Sequence, residues 1–267
     1  MNLLEKEAVF HDEWAKQIDV SKIDVTRFFE SQSVPENKWL ISDLRAGFDN
    51  NSLLELGCGA GESSVYFARL GARVTATDIS PEMLKVAVKL ATENGVSIDT
   101  VLTGAEDLSV FPDASFDIVY AANLLHHVKI YNCISEVKRV LKPGGIGLFW
   151  DPIHYNPIIN IYRKLASNVR TEDEHPLRVG DLNNIREIFS NKVTFRFFWF
   201  TGLAVFLKYY LVDRLDPNKV RYWKKVVDDS VVLDKFLSWS HKFDQLLFKL
   251  CPPLKFLSWN IAIKVEK

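Results

Sequence analysis

The sequence predicts an α/β fold in which helices cover both faces of a mostly parallel sheet. Short apolar runs alternate with amphipathic segments between residues 52 and 150, and such alternation produces parallel strands joined by right-handed crossovers. The first run ends in a loop with glycine at every second position, Gly57, Gly59 and Gly61. The second run ends in a carboxylate, Asp78. A glycine loop and an acid at the ends of adjacent strands indicate a ligand site at that edge of the sheet.

Residues 1–47 are predicted to form a helical cap, because their apolar residues recur at helical spacing. Six large side chains are expected to be its buried anchors. They are Phe10, Trp14, Ile18, Phe28, Phe29 and Trp39. The core of the fold is then expected at residues 48–200 and 259–267.

The apolar runs predict five strands in the first part of the core. These are residues 52–56, 73–78, 99–103, 116–121 and 146–150. The helix after the second strand is predicted to begin at Ser80, which can cap it, with Pro81 in its first turn, and to end at Asn94 and Gly95. The fifth strand is expected to start after a K-P-G-G turn at residues 142–145.

Two further strands are predicted at residues 192–197 and 259–265. About 60 residues separate them, far more than in a usual loop, and much of this connection has helical apolar spacing. The helical stretches are residues 201–213, 218–232 and 233–250. Residues 201–258 are therefore predicted to be a helical insertion, a lid or acceptor-binding subdomain over the carboxyl ends of the strands.

The glycine loop and Asp78 predict a nucleoside site. Glycines let backbone N–H groups approach a ligand, and Asp78 follows Glu55 by 23 residues, near the ~20-residue spacing at which an acid meets a ribose. A dinucleotide fingerprint requires glycine at position 62, where this chain has Glu62. That carboxylate would repel a pyrophosphate at the helix N-terminus. The pattern favours a ligand with no phosphate, a cationic sulfur and an amino group, such as S-adenosylmethionine.

Five motifs in order resemble those of class I S-adenosylmethionine-dependent methyltransferases, especially the ubiquinone/menaquinone-biosynthesis-type group. They are E-x-G-x-G-x-G from Glu55, T-D-I-S-P-E-M from Thr77, F-P-D-A-S-F-D from Phe111, L-H-H-V from Leu125 and V-L-K-P-G-G from Val140. The resemblance spans about residues 50–150. It implies a Rossmann-like seven-stranded sheet in which the last strand is antiparallel and lies beside strand six.

The resemblance also implies the cofactor contacts. Glu55 would hold the amino group, Asp78 the ribose hydroxyls, and Ile79 would pack on adenine, although Asp78 could instead only cap the next helix through Ser80. The acid that the resembled family usually has after strand three is absent. The Ala105 N–H could still contact the cofactor, and the Glu106 side chain could replace that acid or equally be solvated. The full predicted set is Glu55, Gly57, Cys58, Gly59, Gly61, Asp78, Ile79, Ala105, Glu106 and Asn123.

His127 and His154 are the predicted catalytic residues. His154 follows strand five, where the acceptor sites of the resembled family begin, and could orient or deprotonate an acceptor hydroxyl. His126 and His127 are adjacent, and adjacent residues of a helix do not face the same way. No metal site is predicted, and at least one of these two histidines is expected to be structural. The acidic segment at residues 172–175 is expected to be a loop with a helix cap, or part of the acceptor entrance.

The predicted function is methyl transfer to an oxygen or carbon of a small, apolar or lipid-like acceptor. A sulfonium methyl group is already activated, so the protein must mainly align the acceptor and exclude water. The alternative is an S-adenosylmethionine-binding regulatory or partner subunit without catalysis. No nucleic-acid partner is expected, since the chain has no Asn-Pro-Pro-Tyr motif and no separate RNA-binding domain. An NAD-dependent dehydrogenase is disfavoured by Glu62.

Charge and aromatic residues are unevenly distributed. Residues 191–267 hold 14 basic and 7 acidic side chains and 16 of the 33 aromatics, against 19 basic and 27 acidic before them. The uncharged segment 197–207 is too short for a bilayer span of ~20 residues, so it is either interfacial or packed in a lid. Peripheral membrane contact through residues 197–255 is one expectation. Three cysteines without paired spacing and no signal peptide predict a cytoplasmic protein, with contact at the inner face of the membrane as the further possibility.

Overall fold

A single sheet of seven strands organises the protein in the computed structural model, which describes residues 3–42, 44, 47–166 and 174–267. The strands are β1 Ser52–Leu56, β2 Arg73–Asp78, β3 Asp99–Leu102, β4 Phe116–Ala122, β5 Leu141–Pro152, β6 Val193–Phe198 and β7 Asn260–Glu266. Their order across the sheet is β3-β2-β1-β4-β5-β7-β6. Strand β7 is antiparallel to both neighbours and the remaining pairs are parallel. The predicted fold class is confirmed, including the position of the last strand.

Helices cover both faces of this sheet. They are α1 Leu3–Ala15, α2 Arg27–Glu30, α3 Pro35–Ile41, α4 Glu62–Arg69, α5 Pro81–Glu93, α6 Ile130–Val140, α7 Pro157–Leu165, α8 Val179–Ile188, α9 Ala204–Leu211, α10 Tyr222–Asp228 and α11 Ser230–Leu250. Short 3-10 turns lie at Val20–Lys22, Leu125–His127, Thr201–Leu203 and Pro252–Leu257. Because β1 lies between β2 and β4, the chain reverses its direction across the sheet here and leaves a crevice at the carboxyl ends of β1 and β4.

Two apolar layers hold the helices to the sheet. On one face Leu53 and Tyr120 lie in the same cluster as Phe29 of α2 and Leu237 of α11. On the other face Leu54 and Val119 are clustered with side chains of α6 and α8. Full burial of one such side chain stabilises the fold by roughly 1.5–3 kcal/mol. The cap and the insertion therefore cover the same face of the sheet.

The predicted start of β5 is wrong. The strand begins at Leu141, which pairs with Phe116, and regular pairing resumes at Ile146 opposite Ile118. The intervening K-P-G-G segment is an irregularity within the strand, with Gly144 at a φ of +75°. The composition of this segment predicts a turn, but here the backbone freedom of glycine allows a bulge within the strand.

Most of the predicted anchors of the cap are not fully buried. Phe29 is 1% exposed, whereas the other five are half-buried. Val25, Val34 and Leu40 are among the buried residues of the cap that the sequence did not single out. Helix α1 ends at Ala15, and the later helices of this region are short. Because the cap is not one continuous helix, a single helical spacing does not identify its buried residues.

The insertion between β6 and β7 is helical, but its predicted boundaries need correction. Helix α10 covers only Tyr222–Asp228, and α11 already begins at Ser230. The segment 197–207 is mostly core, with Phe198, Trp199 and Phe206 at most 3% exposed. Of its two predicted roles, packing in the insertion is the one observed. None of the described helices combines the length and apolar character that a bilayer crossing requires.

Candidate functional site

Asp78 connects the glycine loop after β1 to the start of α5. Its Oδ2 accepts a hydrogen bond from the Gly59 N–H at 2.9 Å, and its Oδ1 accepts one from the Ser80 N–H at 2.9 Å. Ser80 caps α5 by accepting from the Met83 N–H at 3.0 Å. Asp78 therefore does support the cap of α5 through Ser80. Each carboxylate oxygen still has a second lone pair that a ribose hydroxyl could use.

The three loop glycines have different reasons for being glycine. A Cβ on Gly61 would lie 2.6 Å from the Ala87 Cβ, so this glycine allows α4 to pack against α5. A Cβ on Gly57 would lie 2.8 Å from Leu124 Cδ1. Gly59 has a φ of +52°, and its Cβ would meet nothing within 4 Å. Gly59 is thus the glycine that borders open space, which is the geometry expected beside a ligand.

The Cys58 side chain faces the protein interior. It is 5% exposed and lies in a cluster with Ala76, Leu84 and Ala87. Burial raises the pKa of its thiol well above the usual value. The predicted contribution of Cys58 to a cofactor site is restricted to its backbone, because the side chain packs towards α5.

Glu55 is a buried carboxyl beneath the same loop. It is 3% exposed and its Oε2 accepts a hydrogen bond from the Ser64 hydroxyl. Burial raises its pKa to about 8, and the nearby Glu62 carboxylate contributes to the rise. Glu55 is therefore mainly neutral at pH 7, and a cation placed beside it would favour its ionised form.

Helix α1 adds polar groups that the sequence reading missed. Asp12 accepts a hydrogen bond from the Ser80 hydroxyl at 2.5 Å, so α1 is bound to the turn that follows Asp78. Asp78, Glu7 and His127 lie close enough to interact electrostatically with His11, and burial lowers the pKa of His11. The sequence feature that could have indicated these groups is the pair Glu7 and His11, four residues apart, whose side chains are 3.7 Å apart on one side of α1.

Asn123 and Ile79 occupy the carboxyl edge of the sheet. Asn123 has a φ of +52°, is exposed, and donates its backbone N–H to the Trp150 carbonyl at 2.9 Å. Asparagine tolerates this left-handed conformation better than most residues. Ile79 follows Asp78 and is half-buried. The structure places both residues at the ends of the strands that flank β1.

Ala105 and Glu106 follow β3 and make contacts with the core and with α6. Ala105 is 7% exposed and belongs to the core cluster on the opposite face from Glu55. Glu106 accepts hydrogen bonds from the Lys129 N–H at 3.0 Å and from Asn132 Nδ2 at 3.3 Å. These contacts cap the N-terminus of α6. The Glu106 carboxylate is thus neither simply solvated nor without protein partners.

His126 is held by Asp151. The Nδ1 of His126 lies 2.5 Å from Asp151 Oδ1, and the backbone N–H groups of Leu125 and His126 donate to the same carboxylate at 3.1 Å each. Both side chains are buried, and burial lowers the pKa of His126. This ring is fixed in place, which agrees with the expectation that one histidine of the pair is structural.

His127 faces the same way as His126, contrary to the expectation. The pair lies on the 3-10 turn Leu125–His127, and its ring centroids are 4.1 Å apart. Ligand atoms of His126, His127 and Glu174 all lie within 4.8 Å of one another, a donor set that suits a divalent cation. The prediction of no metal geometry assumed α-helical spacing, which this turn does not have. Glu172 and Asp173 lie outside the described residues.

The two predicted catalytic histidines have different partners. His127 Nδ1 lies 3.7 Å from Glu7 on α1. Burial alone would lower the pKa of His127, but the carboxylates of Glu7, Glu174 and Asp151 together raise it. His154 is anchored through its backbone, donating to Leu177 O at 3.0 Å, and burial and nearby arginines lower its pKa. Neighbouring Tyr155 uses its hydroxyl to accept from the N-terminus of α8.

The strand order, the antiparallel β7 and the glycine loop tied to Asp78 define the Rossmann-like fold of class I methyltransferases. Residues 54–149 match the family described as Methyltransferase domain. The resemblance predicted from the five motifs is therefore confirmed over this segment. The matched segment is flanked by the helical cap and by the C-terminal strands with their insertion.

Curated relatives match part of the chain. The ubiquinone biosynthesis O-methyltransferase of Xanthomonas euvesicatoria pv. vesicatoria (strain 85-10) is 41% identical over 106 residues, which are 39% of this chain and 44% of that protein. The chain thus spans less than half the length of the curated relatives that it matches.

Two solved structures share the fold over most of the chain. Geranyl diphosphate C-methyltransferase from Streptomyces coelicolor A3(2) has a TM-score of 0.58 and 16% identity, covering 88% of this chain and 79% of that one. The YcgJ protein of Bacillus subtilis has a TM-score of 0.53 and 18% identity, covering 87% and 97%. At this identity the likeness concerns the fold alone.

Proposed function

We propose that the protein is an S-adenosylmethionine-dependent methyltransferase acting on an oxygen or carbon of a small, apolar acceptor. The observation that carries the proposal is the Asp78 carboxylate bound to the Gly59 N–H, beside the open side of Gly59. This arrangement lies where the sheet reverses its strand order, the usual ligand crevice of such folds. The methyltransferase domain at residues 54–149 supports the choice of reaction.

The residues present fit S-adenosylmethionine. The buried Glu55 carboxyl, neutral with serines as its partners, would ionise beside an ammonium group. Asp78 has lone pairs for ribose hydroxyls, and Ile79 and Asn123 flank the crevice. When bound, this cofactor supplies a methyl group on a cationic sulfur. The task of the protein is then to align the acceptor and exclude water.

The insertion supports an enclosed acceptor site. We propose that residues 201–258 form a lid joined to the cap, because Ser33 Oγ donates to the Val226 carbonyl at 3.0 Å and the Arg221 guanidinium lies 4.7 Å from the Trp14 ring. Aromatic side chains of α9 and α10 face the core on this side, including Phe206 and Tyr222. An apolar acceptor would suit a lid built on such apolar packing. The relatives named for ubiquinone biosynthesis and the neighbour that binds geranyl diphosphate agree with that class.

His127 is the better supported of the two candidate bases. It lies beside Glu7 and His11 of α1, and His11 is within the field of Asp78. We propose that His127 orients or deprotonates a hydroxyl acceptor. His154 donates its backbone N–H to the Leu177 carbonyl, and its side chain stays the second candidate base. The three free cysteines support a location in a reducing compartment, and we propose the cytoplasm.

The experiment that tests the function has two stages. Calorimetry with S-adenosylhomocysteine and with NADH tests the cofactor, and tight binding of NADH alone would overturn the choice. Mass spectrometry then follows methyl transfer from S-adenosylmethionine to prenylated phenols and to matched phenols without the apolar tail. Transfer to the prenylated series supports the proposal. Cofactor binding without transfer to any acceptor would favour the alternative, a regulatory subunit.

A further inference from the structure

Helix α11 carries a row of large apolar side chains along its outer side. They recur at alternating four- and three-residue intervals, at Val232, Phe236, Trp239, Phe243, Leu246 and Leu250. Five of the six are exposed, with Val232 at 85% and Leu250 at 75%, and Phe243 is half-buried. Such spacing places all six on one side of a helix. We call this row the α11 stripe.

The inner side of α11 is fixed to the rest of the fold. Leu237, Ser240 and Asp244 are fully buried. Asp244 accepts hydrogen bonds from the backbone N–H groups of Phe200 and Thr201 at 3.0 Å each, just after β6. The helix therefore has a distinct core-facing side, and its orientation leaves the α11 stripe in solvent.

A row of lysines runs beside the α11 stripe. Lys235, Lys242 and Lys249 are seven residues apart and all are exposed. At about 100° per residue this row lies roughly 80° around the helix from the stripe. Within the stripe, the Trp239 and Phe243 rings stack at 5.1 Å. An apolar row with aromatic rings, bordered by cations, has the composition of helices that lie in the plane of a membrane interface.

We propose that the α11 stripe docks on an anionic lipid surface, with the three lysines at the headgroups. The stripe spacing would also fit a helix of a second copy. Charge decides between the two, because Lys235, Lys242 and Lys249 border the stripe, so two copies facing each other here would bring like charges together. Anionic headgroups complement them. This proposal is independent of methyl transfer.

Vesicle cosedimentation of the full chain tests the proposal. The probes are vesicles of phosphatidylcholine alone and of phosphatidylcholine with phosphatidylglycerol, at low and high salt. The apolar variant is Trp239→Ser/Leu246→Ser, where the side chains are 57% and 54% exposed. Its matched control is Val110→Ser/Tyr131→Ser, at 58% and 62% exposure on other elements. Circular dichroism and calorimetry of S-adenosylhomocysteine check that both variants stay folded.

The expected result is cosedimentation of the wild type with the anionic vesicles, weakened by salt. The apolar variant should remain in the supernatant while its control behaves like the wild type. Changing Lys235, Lys242 and Lys249 together to Gln should lower the partition coefficient about 100-fold, since each lysine near an anionic surface contributes roughly fivefold. The proposal is overturned if the wild type stays in the supernatant at low salt. It is also overturned if Trp239→Ser/Leu246→Ser dissociates a dimer, which would make the stripe a contact between copies.

Discussion

Replacing Glu55 by glutamine should stabilise the protein at alkaline pH and change little near pH 4.5. Burial raises the pKa of this carboxyl from 4.5 to about 8, so the folded state keeps a proton that the unfolded chain releases. The contribution of Glu55 to folding stability is therefore complete below pH 4.5 and is lost as the pH rises to about 8. Glutamine copies the neutral carboxyl, can still accept from Ser64, and has no proton to lose.

The magnitude follows from the width of that pH window. Each pH unit contributes about 1.4 kcal/mol, so between 4.5 and about 8 the variant should gain roughly 4–5 kcal/mol in free energy of unfolding over the wild type. Urea unfolding at intervals from pH 4.5 to pH 9 measures the difference. Glu36→Gln is a second case, with a smaller gain of about 3 kcal/mol, because burial raises the pKa of Glu36 to about 7. Exposed Glu93 supplies the control Glu93→Gln.

The reasoning is refuted if the wild-type and Glu55→Gln stability curves run parallel from pH 4.5 to pH 9. The same residue links pH to the proposed cofactor. If an ammonium group pairs with Glu55, the affinity for S-adenosylhomocysteine should rise with pH up to about 8 in the wild type. Glu55→Gln should remove that Glu55-linked rise.

Three further predictions concern the candidate site. Asp78→Ala should weaken S-adenosylhomocysteine binding at least tenfold by calorimetry, since a hydrogen bond to a charged group contributes about 1.5–3 kcal/mol. Asp234→Ala, an exposed carboxylate of α11, should not. Gly59→Val should abolish that binding, whereas Gly95→Val, with similar backbone strain at a φ of +70° and similar open space, should lower only the melting temperature. His127→Ala should reduce turnover about 100-fold or more with unchanged cofactor affinity, measured with a hydroxyl acceptor.

Each of these has an outcome that contradicts it. Equal cofactor affinity in Asp78→Ala and the wild type would remove the ribose assignment. Equal losses of binding in the two glycine variants would mean that backbone strain, and not ligand space, explains the effect. Near-normal turnover of His127→Ala would leave positioning of the acceptor as the catalytic contribution of this site.

The elements that the sequence predicted best are those with strong local signals. Ser80, Pro81 and Gly95 fix the ends of α5 through a cap, a rigid first turn and a left-handed end, all of which can be read without tertiary information. The strand pattern likewise predicted the sheet, because fully buried parallel strands are short apolar runs.

The errors arise where tertiary contacts decide. The K-P-G-G segment has turn composition but lies within β5, because Leu141 pairs with Phe116. His126 and His127 were judged by α-helical geometry, yet a 3-10 turn and the Asp151 carboxylate set their directions. Cys58 stands in the loop motif, but α5 decides that its side chain turns inward. None of these contacts produces a periodic pattern of residues in the sequence, so the pattern cannot predict them.

The central place of β7 in the sheet has a consequence for the order of synthesis. Strand β7 separates β5 from β6, although it is the last of the seven along the chain. Asn260 at its start also donates to Glu36 of α3 at 2.8 Å, across 224 residues of sequence. While the ribosome has not yet released residues 260–266, β5 and β6 lack their native neighbour and expose unpaired edges. The nascent chain can thus form the glycine loop early, but it depends on its last strand to close the sheet and is most prone to aggregation just before that.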